Sequence, residues 1–113
     1  NPPYTGMLYD EGGRGIVAQR GQKVTVNKDG KSEVTDTTTE VIKEDLTKWT
    51  TIEITCVDNR LIHKINGQVT VDITDNDEKN REFKGVLALQ IHAGAPMTIQ
   101  FKDVHLKKLV KKK

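Results

Sequence analysis

Cysteine is almost missing from this chain of 113 residues, and the single one, Cys56, excludes an internal disulfide and a cysteine-built zinc site. Serine is equally scarce. Ser32 lies in a polar stretch with no nucleophile-elbow context, which removes serine hydrolysis. The three histidines, His63, His92 and His105, include no pair at metal-ligand spacing. Aromatic residues are limited to Tyr4, Tyr9, Trp49, Phe83 and Phe101. Sugar-binding faces commonly stack on Trp or Tyr, so an aromatic-lined glycan platform has few residues to draw on. No apolar run is long enough to cross a bilayer as a helix, and no stretch keeps a helical apolar period.

What is present is charge and β-formers. Charged residues make up 30% and hydrophobic residues 35%, with a mean hydropathy of -0.58. This balance fits one small domain of thin layers whose strands are apolar on one face. The formal charge of +2 owes much to residues 107–113, a basic tail that reads as a solvated end rather than a nucleic-acid or membrane patch. The chain opens on Asn1-Pro2-Pro3 rather than Met, as a processed product or a piece of a longer chain would.

The alternation of apolar residues predicts strands over 4–10, 16–20 and 23–27, with a turn at Lys28-Asp29-Gly30. Residues 31–48 are polar and rich in threonine, which suggests an extended excursion with at most a short strand and one helical turn near 43–46. A stronger strand follows Trp49, with Ile52, Ile54 and Cys56 on one face, so Cys56 is expected to be a buried thiol. Hairpin turns are expected at Asp58-Asn59 and at Asn66-Gly67, the latter because both residues tolerate the positive φ of a type I′ turn. Between them His63 shares the parity of Leu61 and Ile65, as a semi-buried, hydrogen-bonded histidine would. Residues 75–82 read as a charged loop, and two last strands are expected over 86–93 and 97–106, the second bulged near Lys102-Asp103. The result is an all-β chain of antiparallel strands.

Two stretches stand out chemically. Tyr9-Asp10-Glu11-Gly12-Gly13-Arg14-Gly15 sets two carboxylates, a tyrosine and an arginine on a glycine turn, where the backbone can take positive φ or admit a close neighbour. The same turn can be no more than a solvated hairpin loop. A phosphate loop would need a helix after the glycines, and Ile16-Val17-Ala18 reads as a strand. In Val86-Leu87-Ala88-Leu89-Gln90-Ile91-His92-Ala93 the odd positions are apolar. Ala88, Gln90 and His92 share the other face, like the floor of a groove.

These stretches carry a resemblance. The Tyr9–Gly15 turn, Trp49-Thr50-Thr51-Ile52-Glu53-Ile54, Asn66-Gly67 with Asp72, Gly85–His92 and Phe101-Lys102-Asp103-Val104-His105-Leu106 are similar to the 3-keto-disaccharide hydrolase domain family. The resemblance implies an antiparallel β-sandwich of the concanavalin A-like jelly-roll type, with a sugar groove on the concave sheet. Residues 1–113 would then be a single domain, the C-terminal portion of such a sandwich, its front half or a partner chain completing it. It also implies a periplasmic or extracellular, bacterial location and carbohydrate as partner, a 3-keto-glycoside or glycan, with no nucleic acid. Cleavage would proceed by C2 proton abstraction, which needs a base, an acid and a donor for the enolate oxygen. Asp10, Glu11 or His92 would act as base and Arg14 as cation, with Tyr9 and Gln90 binding substrate. A divalent metal in place of Arg14 is the other electrophile this reading admits, and no cofactor is fixed by the sequence. The alternative is a non-catalytic glycan-binding or structural domain of a larger assembly. The catalytic reading further expects Asp10, Glu11 and Arg14 to lie close to Gln90 and His92.

Overall fold

A computed structural model of the chain describes residues 6–10, 12–38, 47–81, 88 and 100–108. The chain divides into two compact units, Asn1–Phe83 and Lys84–Lys113, and the seven strands found among the described residues lie in the first. Among the described residues there is no helix, and the chain is all-β.

The glycine turn joins β1 (Leu8–Asp10) to β2 (Gly15–Ala18) in a two-stranded sheet of their own. The second sheet has five strands: β3 (Gln22–Val26), β4 (Ser32–Thr37), β5 (Ile52–Val57), β6 (Arg60–Ile65) and β7 (Gln68–Asp75). They lie in the order β4-β3-β7-β6-β5. Both expected hairpins are there. Asn66 and Gly67 take φ of 49° and 81°, the pair of positive values a type I′ turn requires, and Asp58 takes 51°. One pairing departs from a purely antiparallel sheet, because β3 and β7 run parallel. The path explains it. After β4 the chain passes to the opposite edge, and the β5–β6–β7 meander then carries β7 back beside β3.

Residues opposite one another in a ladder project from the same face. One such row crosses all five strands as Val34, Val24, Ile73, Leu61 and Cys56. The β1–β2 hairpin packs over the middle of this apolar face. Val17 and Ala18 join Val24, Val26, Val71 and Ile73 in the core, with Leu8 and Leu61 at its margin. A register shift opposite Leu8 and Tyr9 lets the consecutive residues Val17 and Ala18 both point inward. Two sheets thus share one core, as in a β-sandwich.

This footprint corrects the expectation for Cys56. The thiol is exposed, as are Ile52 and Ile54, at 58% and 56%. Alternation placed them on the apolar face correctly, but β5 is an edge strand beyond the reach of the hairpin. Other expectations shift at element ends. The first strand begins only at Leu8, and the threonine-rich stretch holds a six-residue strand, β4. Asp75 closes β7 instead of opening a loop. Residues 100–108 form no strand, and at Asp103 the backbone turns to φ 51°, outside the β region. The expected helical turn near 43–46 lies outside the described residues, as does the expected strand over 86–93 apart from position 88.

Behind the hairpin, Thr70 and His63 tie the chain entering β1 to the main sheet. A register shift between His63 and Lys64 leaves Thr70 unpaired in the ladder. Its hydroxyl donates to the Gly6 carbonyl at 2.7 Å, and its own carbonyl accepts the Gly21 N–H at 2.6 Å. Gly6 has φ 88°, and a Cβ there would sit 2.6 Å from Thr70 Oγ1, so only glycine allows this approach. His63 hydrogen-bonds the backbone of Gly6 and Met7. Its burial outweighs those bonds and pushes its pKa below the ordinary 6.5.

Two outcomes follow from this packing. Ile73→Ala, in the closed core, should lower the free energy of urea unfolding by about 2–5 kcal/mol, whereas Ile54→Ala on the open edge should cost less than about 1 kcal/mol. As pH falls below 6.5 the unfolded chain takes up a proton at His63 before the folded chain does. Stability therefore declines from that pH down to the lowered folded value. His63→Gln should flatten that slope in urea titrations, and an unchanged slope would count against the neutral buried histidine.

Candidate functional site

The turn after β1 is closed by the Gly13 N–H, which donates to the Asp10 carbonyl at 3.1 Å. A Cβ at Gly13 would stand 2.7 Å from Asp10 Oδ1, so the glycine makes room for the carboxylate. Arg14 leaves this turn toward two elements at once. Its Nε donates to Asp10 Oδ2 at 2.9 Å, and its Nη1 donates to Asp75 Oδ1 and Oδ2 at 3.0 and 2.9 Å. Asp77 Oδ2 is a further 3.6 Å contact of Nη1. Three carboxylates therefore surround one guanidinium, and no acceptor for its Nη2 is found among the described residues.

The acidic partners are held as firmly as the arginine. The Asp75 and Asp77 side chains are only 5% and 2% exposed, against 18% for Arg14. Asp75 Oδ1 accepts the Asp77 N–H at 3.1 Å, and the Asp75 carbonyl accepts Asn59 Nδ2 at 3.1 Å and Arg81 Nη1 at 3.2 Å. Asp77 accepts Asn80 Nδ2 at 2.8 Å. A Cβ at Gly30 would lie 2.9 Å from Asp77 Oδ2, so here too a glycine clears the space.

The electrostatics follow from these contacts. The Arg14 hydrogen bond holds the Asp10 carboxyl below its usual range, and the Asn80 side chain does the same for Asp77. Burial works against the charge on Arg14, but its bonds to Asp10 and Asp75 outweigh that and raise its pKa. Asp10 is consequently a weak base, and the guanidinium is permanently charged yet locally balanced.

Of the residues singled out from sequence, the structure brings Asp10 and Arg14 into direct contact. Tyr9 stands on the opposite face of the hairpin from Asp10, paired with Ile16 and 56% exposed. Glu11, Gln90 and His92 lie outside the described residues. Asp75 and Asp77 are the members that sequence reading missed. A signal existed. Asp75 continues the buried parity of Val71 and Ile73, a position where a carboxylate needs a buried partner. Among the described residues, no group of three or more His, Cys, Asp or Glu is arranged to hold a metal ion. No helix there is long and apolar enough to cross a membrane.

Arg14→Met would leave the buried Asp75 carboxylate without its partner, at a cost on the order of 3–5 kcal/mol near neutral pH. In the native protein the Arg14 bond lowers the Asp10 carboxyl pKa, a gain in stability that is present above 3.8 and lost as pH falls through the folded value. The variant lacks that gain, so the gap between the two denaturation midpoints should narrow on acidification. A constant gap would remove the ionic explanation.

Comparison with known families matches residues 1–107 to the 3-keto-alpha-glucoside-1,2-lyase-like domain. No curated protein matches the chain, and no solved structure does.

Proposed function

Because the chain belongs to the 3-keto-alpha-glucoside-1,2-lyase-like domain family, a carbohydrate-related group, we propose that it cleaves 3-keto-glycosides by elimination at C1–C2. The ketone at C3 acidifies the C2 proton. A base removes that proton and the C–H electron pair passes into the enolate. The enolate then collapses to a C1–C2 double bond as the C1–O bond breaks, and the departing aglycone oxygen takes up a proton. Water adds to the unsaturated ketone afterwards and gives the net hydrolysis product.

The observation that carries this reading is the family match, which spans the turn bearing Asp10 and Arg14. Arg14 Nη2 is the donor we assign to the enolate oxygen, since Nε and Nη1 are already bonded to Asp10 and Asp75. Asp10, with its lowered pKa, serves better to orient Arg14 than to accept the C2 proton. The base we assign is Glu11 of the same turn; Tyr9, on the opposite face of the hairpin from Asp10, is given no part in holding the sugar.

A second reading, a glycan-binding or structural domain without catalysis, is favoured by one feature. Three carboxylates already offset the charge of Arg14, as in a purely structural ion cluster.

A chromogenic aryl 3-keto-glucoside separates the two. The elimination reading expects release of the aryl alcohol, a transient enone absorbance and slower turnover of the C2-deuterated substrate. Arg14→Lys should lower kcat/KM by about 10²-fold, because lysine cannot hold Asp10 and Asp75 while offering a third donor. Saturable binding with no release would leave the binding-module reading alone standing.

A further inference from the structure

We infer that Asp75 is a positioning residue for the elimination, with Asp77 as its support, and that the buried carboxylate pair aims Arg14 rather than merely stabilising the hairpin; this rests on the function proposed above. Asp75 lies 61 residues from Arg14 in sequence, yet one nitrogen of the guanidinium meets both of its oxygens. A guanidinium is planar and rigid. Once Nε is bonded to Asp10 and Nη1 to Asp75, the direction of Nη2 has no freedom left.

The composition of the cluster supports a role beyond stability. Its three carboxylates exceed the charge of one guanidinium, and two of them are almost fully buried. Replacing a buried ion pair by packed apolar residues is commonly neutral or stabilising, so stability alone is a poor reason to place Asp75 in line with Val71 and Ile73. The surroundings are fitted to the carboxylates as well. Gly13 and Gly30 lack side chains where a Cβ would crowd Asp10 and Asp77, and Asn59, Asn80 and Arg81 bond the segment that carries Asp75 and Asp77. The pair is pre-oriented before any substrate arrives, which is the arrangement that lowers the cost of stabilising an enolate.

The test compares wild type, Asp75→Asn and Ile73→Val in the full chain. It reads aryl 3-keto-glucoside turnover together with the hydrogen-exchange rate of the Arg14 Nε–H by NMR. Ile73→Val is a core variant that weakens the fold without touching the cluster. Asp75→Asn should lower kcat by about 10²-fold with KM held within about twofold, and should speed exchange at Arg14 Nε. Ile73→Val should change neither. Asp75→Asn that keeps its kcat, or that loses no more than Ile73→Val, overturns the inference and leaves the proposed reaction standing. If Asp75→Asn fails to fold, Asp77→Asn takes its place, with the same direction of change expected in both readouts. Wild-type protein without turnover removes the proposed reaction and this inference together, whatever the NMR signal shows.

Discussion

The bond between Arg14 and Asp75 is the constraint on which the rest of the first unit depends. It joins the turn of a two-stranded hairpin to the end of the strand running through the middle of the five-stranded sheet. A hairpin of three and four residues per strand is marginal by itself in water. It is held at its open end by Thr70 and His63 bonded to the chain entering β1, and at its turn by Arg14. Between those two ties Leu8, Val17 and Ala18 close over Val24, Val26, Val71 and Ile73. Polar anchors therefore set the angle at which a small apolar surface meets the sheet, and burial then supplies most of the gain.

The two faces of the main sheet answer to different physics. On the face away from the hairpin, Arg60 meets Asp72 through two hydrogen bonds, 3.0 and 2.8 Å long, and Lys64 lies 3.7 Å from Glu53. These pairs are exposed and contribute little to stability, but they keep one face soluble. Among the described residues, the cover on the apolar face is the β1–β2 hairpin over its centre. At the β5 edge Ile52, Ile54 and Cys56 remain open, although their strand pairs fully with β6. Register and coverage are thus separate properties. The first is set by pairwise ladder contacts, the second by what packs on top.

That distinction explains which parts of the structure were legible beforehand. The Asn66-Gly67 turn and the alternation of Leu61, His63 and Ile65 are local signals, and both hairpins came out in place. Residues 32–37 lacked such a signal because an edge strand, exposed at every position, has no apolar face to reveal it. The parallel β3–β7 pair was hidden for another reason. It depends on where the chain goes after β4, and no short window records that path. Cys56 was misplaced because parity assigns a face but not its cover.

The site follows the same logic. Glycines, Asp10 and Arg14 marked the turn because they are unusual together, and the structure gives their spacing a purpose, since Gly13 leaves space for the Asp10 carboxylate. The residues that complete the cluster were hidden by composition. Asp75 and Asp77 sit in a run of charges that reads as solvated loop, yet both are buried. Their parity with Val71 and Ile73 was the available clue. An acidic residue that continues a buried alternation either ends the strand or meets a cation. Here it does both, because β7 ends at Asp75 and the cation arrives from the glycine turn. A chain that spends three carboxylates on one arginine, and clears two glycines to do so, fixes the direction of one donor group more tightly than packing requires.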